Sequence, residues 1–145
     1  MRLTVLSDYS LRVLMYLAAR PDRLATIQEI ARAYAISENH LMKVVHGLAK
    51  GGYIETVRGR GGGMRLAGPA DGITVGAVLR TVEEDFAIVE CLGNQDTCRI
   101  TKACRLKRVL QLALAAFMAE LDQWTLADLV SRPKALLDAL DIEAR

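Results

Sequence analysis

Along the first fifty residues, apolar side chains recur at the three- and four-residue spacing of an α-helix, in three separate blocks. Leu11, Leu14, Met15 and Ala18 share one face of a segment that Ser7 is placed to cap and Pro21 must end, which predicts a first helix through Ala19 with Asp8 in its first turn. Thr26, followed three residues later by Glu29, has the form of a capping box, in which each side chain satisfies the other's backbone N–H, and it predicts a short helix over 27–34. Ser37 is placed to cap a third helix running to about Lys50, where Gly51 and Gly52 stop it. Only Ala35 and Ile36 separate the second and third helices, so the order is helix, tight turn, helix.

Past residue 52 the period becomes alternating. Tyr53–Val57 and Met64–Ala67 flank a glycine-rich tip, the pattern of a β-hairpin. A helix-turn-helix followed by a hairpin is a winged helix, whose second motif helix enters the major groove while the hairpin reaches the backbone or minor groove. Residues 1–68 are thus expected to form a winged-helix DNA-binding region. Pro69 and Gly72 mark its boundary, and Thr74 is placed to cap a helix to about Glu84. From about Ala103 a long helix runs towards Trp124, with Leu110, Leu114, Phe117, Leu121 and Trp124 stepping by four and three, a seam suited to packing helix on helix. The expected fold class is mainly α, a winged helix-turn-helix with a long C-terminal dimerisation helix. Residues 69–105 hold the connecting helix and a cysteine-bearing loop, and 106–145 the dimerisation helix and short closing helices.

Charge sharpens this picture. The net charge of the 145 residues is only +2, but residues 1–68 carry ten Lys/Arg against five Asp/Glu, and residues 69–145 carry nine against twelve. A basic first half suits a polyanionic partner. On the third helix Leu41, Val44, Val45 and Leu48 define the buried face, leaving Asn39, Lys43, His46 and Lys50 on the opposite one. Asn can bond adenine bidentately and Lys can reach guanine or phosphate. Ser37 and His40 at the helix start, and Arg58 and Arg60 on the flexible wing, complete the candidate DNA contacts to double-stranded DNA. Hydrophobic residues make up 52% of the chain, yet no run approaches the ~18 needed to span a bilayer, so a soluble protein without membrane contact is expected. No export segment is apparent either, which places the thiols in a reducing cytoplasm where a structural disulfide is not expected.

Those thiols are the chain's second chemistry. Cys91, Cys98 and Cys104 are its three cysteines, spaced C-x6-C-x5-C within CLGNQDTCRITKAC. They could ligate zinc, seat an iron-sulphur cluster or form a redox pair. Zinc sites usually draw on ligands two to four residues apart and close four positions, whereas these gaps are wider and no histidine is near. A C-x-x-C redox motif is absent. Wide gaps suit a cluster, whose irons each take one thiolate from a wrapping loop. Arg99, Lys102, Arg105, Lys107 and Arg108 would lower thiol pKa values and offset an anionic cluster. Neither a nucleotide or flavin fingerprint nor an acid–base pair is present, which argues against an enzyme.

The wing IETVRGRGGGMRLA, a following helix, the cysteine trio and then a long helix together resemble the winged-helix iron-sulphur transcription regulators of the IscR/NsrR family, over essentially the whole chain. In the IscR-like branch a histidine follows the last cysteine by three residues, where this chain has Lys107, so the resemblance points to the NsrR branch. That branch implies a homodimeric, cytoplasmic repressor that binds palindromic operators and releases them when nitric oxide nitrosylates its cluster. The implied cluster is one 4Fe-4S per subunit, with 2Fe-2S as an alternative, on Cys91, Cys98, Cys104 and an early first-helix carboxylate from the other subunit, which Asp8 matches; Glu90 and Asp96 are local rivals. Sensing of cluster supply, iron or oxygen is the nearest alternative, and a structural DNA-binding module with inert cysteines a more distant one.

Overall fold

The computed structural model describes residues 3–94 and 96–140. Helix α1 spans Val5–Ala18 and begins one turn earlier than a Ser7 cap would have it. Thr4 is the cap instead, its Oγ1 accepting the Ser7 N–H at 3.2 Å. Thr and Ser both cap well, and the earlier start gains backbone hydrogen bonds such as Asp8 N–H to the Thr4 carbonyl at 3.1 Å. Ser7 is consequently buried inside the first turn.

Helix α2 (Ile27–Tyr34) and helix α3 (Glu38–Lys50) form the helix-turn-helix. Ala35 turns the chain between them with a left-handed φ of 52°, and the Ile36 N–H closes back on the Ala31 carbonyl at 3.0 Å. The predicted capping box at α2 is only half formed. Thr26 Oγ1 accepts the Glu29 N–H at 3.2 Å, but the Glu29 carboxylate turns away to accept from Tyr16 Oη at 2.5 Å, from Arg20 and from Arg23. Charged donors outbid a neutral amide for a carboxylate. A full capping box occurs further on, where Thr125 and Asp128 satisfy each other at the start of the short helix Leu126–Leu129.

Strands β1 (Ile54–Val57) and β2 (Gly63–Leu66) pair antiparallel, with Glu55 opposite Arg65 and Thr56 opposite Met64. A third backbone segment joins them: Ala25 and Met64 exchange N–H···O=C bonds of 3.0 and 2.8 Å, stapling the wing to the stretch before α2. Gly63 makes room for this, since a side chain there would meet the Ala25 carbonyl. The core under the sheet and helices gathers Val13, Leu14, Tyr16, Leu17, Ile30, Leu41, Val44, Leu48, Ile54 and Met64.

Helix α4 (Val75–Val82) follows, and after two single 3-10 turns at Glu90–Leu92 and Thr101–Ala103 the chain enters helix α5 (Arg105–Asp122), with short helices α6 (Leu126–Leu129) and α7 (Pro133–Ala139) closing the body. α4 and the end of α5 are locked together. Arg80 holds Asp122 through two hydrogen bonds of 2.5 and 2.7 Å, and backbone bonds Val75 N–H to Trp124 O and Leu126 N–H to Ile73 O lie beside that pair. The seam expected along α5 is covered in part. Met118 is buried and Leu110, Leu114, Phe117 and Leu121 are half-buried, but Trp124 lies beyond the helix and is about half exposed, its indole N–H donating to Glu120 at 3.1 Å.

Candidate nucleic-acid interface and cysteine loop

The buried stripe Leu41, Val44, Val45 and Leu48 fixes the rotation of α3, so Asn39, Lys43, His46 and Lys50 all emerge exposed on its outer face, as their spacing predicts. Ser37 is occupied in capping: its Oγ accepts the His40 N–H at 3.3 Å and lies 3.0 Å from His40 Nδ1. The His40 ring tilts against Tyr9 of α1, with centroids 6.3 Å apart. On the wing, Arg58 and Arg60 are exposed at a tip turned by Gly59 and Gly61, both at positive φ. The Glu55–Arg65 ion pair at 3.1 Å occupies the strands behind them. Cationic groups thus project from α3 and from the wing, an arrangement that suits a phosphate backbone.

Two further residues of α3 belong neither to the buried stripe nor to the polar set expected from the sequence. Met42 is 51% exposed on the flank beside Lys43, and Gly47 lies mid-helix with nothing within 4 Å of where its Cβ would stand. Met42 had a legible signal, an apolar residue off the buried stripe.

The cysteine loop joins α4 to α5. Cys91 sits in the first 3-10 turn, Cys98 is exposed between the turns, and Cys104 is the N-cap residue of α5. All three are free thiols. The two local carboxylates are engaged in holding the loop's own backbone. Glu90 accepts from the Thr97 N–H at 2.9 Å and from the Thr97 hydroxyl. Asp96 accepts from Thr101 Oγ1 at 2.7 Å and the Cys98 N–H at 3.2 Å, and Lys107 Nζ lies 3.5 Å away; the Thr101 hydroxyl, then the Cys98 amide and Lys107, hold its carboxyl below the usual range. Lys107, in the first turn of α5 and three residues after Cys104, is therefore paired with a carboxylate of the loop.

Asp8 is engaged within its own helix. Its carboxylate pairs with Arg12 one turn along α1, at 2.9 Å, and Arg12 in turn lies over the rings of Tyr9 and Tyr34 at 5.9 and 5.8 Å. The Tyr34 hydroxyl is buried without a hydrogen-bond partner among the described residues, and burial pushes its pKa to about 12. Among the described residues no three His, Cys, Asp or Glu side chains are gathered closely enough to hold a metal ion, so the structure does not draw the cysteine trio together. The donor set nevertheless fits an iron-sulphur cluster. Three thiols lie in one loop with exposed Arg99, Lys102, Arg105 and Arg108 around them, and Cys104 stands at the positive end of α5 with no side-chain cap bond.

A groove of about 540 Å³ opens beside the loop, between Leu3 and Thr4, the stretch from Glu83 to Ile88, and Leu114 and Phe117 of α5. Along α5, Leu106, Val109 and Leu112 are 61, 58 and 62% exposed. No described helix is long and apolar enough to cross a membrane.

Comparison with known proteins bears on the whole chain. It is 50% identical over 145 residues to the HTH-type transcriptional regulator NsrR of Bacillus subtilis, covering 99% of each chain. It is 48% identical over 132 residues to the regulator of the same name from Bacillus licheniformis, covering 90% of this chain and 92% of that one. Among solved structures, CymR, the global cysteine regulator of B. subtilis, superposes with a TM-score of 0.73 at 28% identity, covering 90% of this chain and 97% of that chain. The family described as Rrf2, iron-dependent transcriptional regulator, matches residues 3–132. With a mainly helical winged-helix body and relatives named as regulators, the chain is a DNA-binding transcriptional regulator, not an enzyme, and it belongs to the Rrf2 family of iron-dependent transcriptional regulators.

Proposed function

We propose that this chain is a cytoplasmic, homodimeric, nitric-oxide-sensing iron-sulphur repressor. The observation that carries the reading is the loop itself: three free thiols between α4 and α5, one of them at the N-cap position of α5, with Lys107 held by Asp96 rather than offered as a ligand. Cys91, Cys98 and Cys104 would hold one cluster per subunit, 4Fe-4S in preference to 2Fe-2S, and Asp8 of the partner subunit would supply the fourth ligand. Glu90 and Asp96 are weaker candidates because both are committed to loop hydrogen bonds. When bound, the cluster supplies iron that nitric oxide can attack.

The chain's own residues supply the rest. Residues 1–68 act as the reading head, with Asn39, Lys43, His46 and Lys50 of α3 facing the major groove, Ser37 and His40 at its start near phosphate, and Arg58 and Arg60 of the wing on the backbone. Residues 69–105 carry the signal-receiving loop and residues 106–145 the dimer contact. More apolar surface lies on α5 than its own body covers, which supports pairing with a second copy. A carboxylate lent to the partner is one withdrawn from Arg12, so ligation and the contact of α1 with Tyr34 of α2 are joined through one side chain.

The test is operator binding by protein purified without oxygen, with iron and sulphide counted. About four irons per chain, and operator affinity that falls when nitric oxide is titrated in, is the expected result. Equal affinity with intact, nitrosylated and absent cluster would overturn the reading, and a response to oxygen but not to nitric oxide would move the signal to the nearest alternative.

A further inference from the structure

Met42 is a large apolar side chain standing half in solvent on the helix expected to enter DNA. Asn39, Met42 and His46 step by three and four along α3, so they share a face, and Lys43 lies between them. No packing among the described residues accounts for an exposed methionine there, and its neighbours are polar or cationic, which does not suit an apolar protein partner. Gly47 raises a second question on the same helix. Glycine is the least favourable residue inside a helix after proline, yet a Cβ at Gly47 would meet nothing within 4 Å. The chain itself therefore has no steric need for glycine at this point, and the need lies in what approaches from outside.

We infer that Met42 is a specificity-determining residue that reads the 5-methyl group of a thymine in the major groove, and that Gly47 lets α3 sit close enough to the phosphate backbone for it to reach. The inference rests on the DNA-regulator reading and adds to it a base identity. Thymine is the one base whose major-groove edge presents a methyl group, so an apolar side chain among hydrogen-bonding ones discriminates for it. The cationic surround of Lys43, Lys50, Arg58 and Arg60 selects duplex DNA as the occupant of this face. Closeness matters because contact with a methyl group is short-ranged, and a bare backbone at Gly47 removes one side chain from the path of a phosphate.

The experiment selects duplexes from a random-sequence pool with the full chain purified without oxygen, then replaces each thymine of the selected site with deoxyuridine, which removes the methyl group and leaves every hydrogen bond. At one position per half-site the wild-type protein should lose about fourfold in affinity, the worth of one buried methyl-sized group at ~0.8 kcal/mol. Met42→Ala should bind more weakly and become indifferent to that replacement, while Met42→Leu should stay sensitive. Gly47→Ala should keep or raise its melting temperature and weaken binding to every duplex. If no thymine responds, or Met42→Ala responds as wild type does, the inference falls while the regulator reading stands; if Gly47→Ala binds undiminished, the close approach is wrong. Failure to enrich any sequence would overturn both.

Discussion

Asp8 and Arg12 close an ion pair of 2.9 Å across one turn of α1, and the same guanidinium lies over the ring of Tyr34 on α2. Both side chains are close to half exposed, so the pair contributes little to stability, within ~1 kcal/mol. Asp8→Ala is therefore expected to melt within a few degrees of wild type yet to hold its cluster poorly, shown as a lower iron count after anaerobic reconstitution. A full iron count in Asp8→Ala would pass the fourth position to Glu90, Asp96 or solvent.

Tyr34 offers a cleaner stability test. Its hydroxyl is buried without a partner among the described residues, and a buried unsatisfied group is a cost to the fold. Tyr34→Phe should leave the melting temperature unchanged or raise it. A drop of several degrees would show that the hydroxyl has a partner, water included, that the protein side chains do not reveal.

On the wing, Arg58 and Arg60 should act through phosphate. Replacing either with Ala should weaken operator binding across sequences and shrink the slope of log affinity against log salt by about 0.9 for each lost phosphate contact. An unchanged slope in both variants would remove the wing tip from the DNA contact.

Asp122 and Arg80 tie α5 to α4, and hydrogen bonding from Arg80 is the main reason the Asp122 carboxyl titrates below its ordinary range. A folded-state pKa below the unfolded one means a stabilising contribution present above the unfolded pKa and lost as pH falls through the folded one. Wild type should then be more stable than Asp122→Asn at neutral pH, and the difference should vanish on acidification to below the usual carboxylate range. A pH-independent difference between the two denaturation curves would assign the effect to packing instead.

Val109 and Leu112 test the second copy. Introducing Asp at either position should leave a folded protein, since neither side chain is buried by its own chain, but should shift sedimentation from dimer to monomer. A dimer unaffected by both changes would relocate the interface to another face.

Local chemistry made much of the fold legible. α2 and α3 stand where Thr26 and Ser37 cap them, because a short polar side chain before an amphipathic run has few alternatives. The start of α1 was not legible in the same way, since Thr4 and Ser7 are equally competent caps and tertiary packing decides between them. Glu29 shows the same limit: its spacing from Thr26 is local, but Tyr16, Arg20 and Arg23 reach it only once the chain has folded. In the loop the cysteine spacing offers only a candidate donor set, while the engagement of Asp96 with Thr101 and Lys107, and of Asp8 with Arg12, depends on geometry that no spacing encodes. Met42 was overlooked for a different reason, since apolar residues on an amphipathic helix are ordinarily assigned to the core.

The backbone staple between Ala25 and Met64 carries a last consequence. It ties the wing to the stretch that leads into α2, so wing and helix-turn-helix form one calliper jaw whose opening is set by the chain's own hydrogen bonds. If residues 91–104 receive the signal and two copies pair as proposed, the signal has purchase on how far apart two such jaws stand, and the protein's state should be written in which spacing between half-sites it prefers.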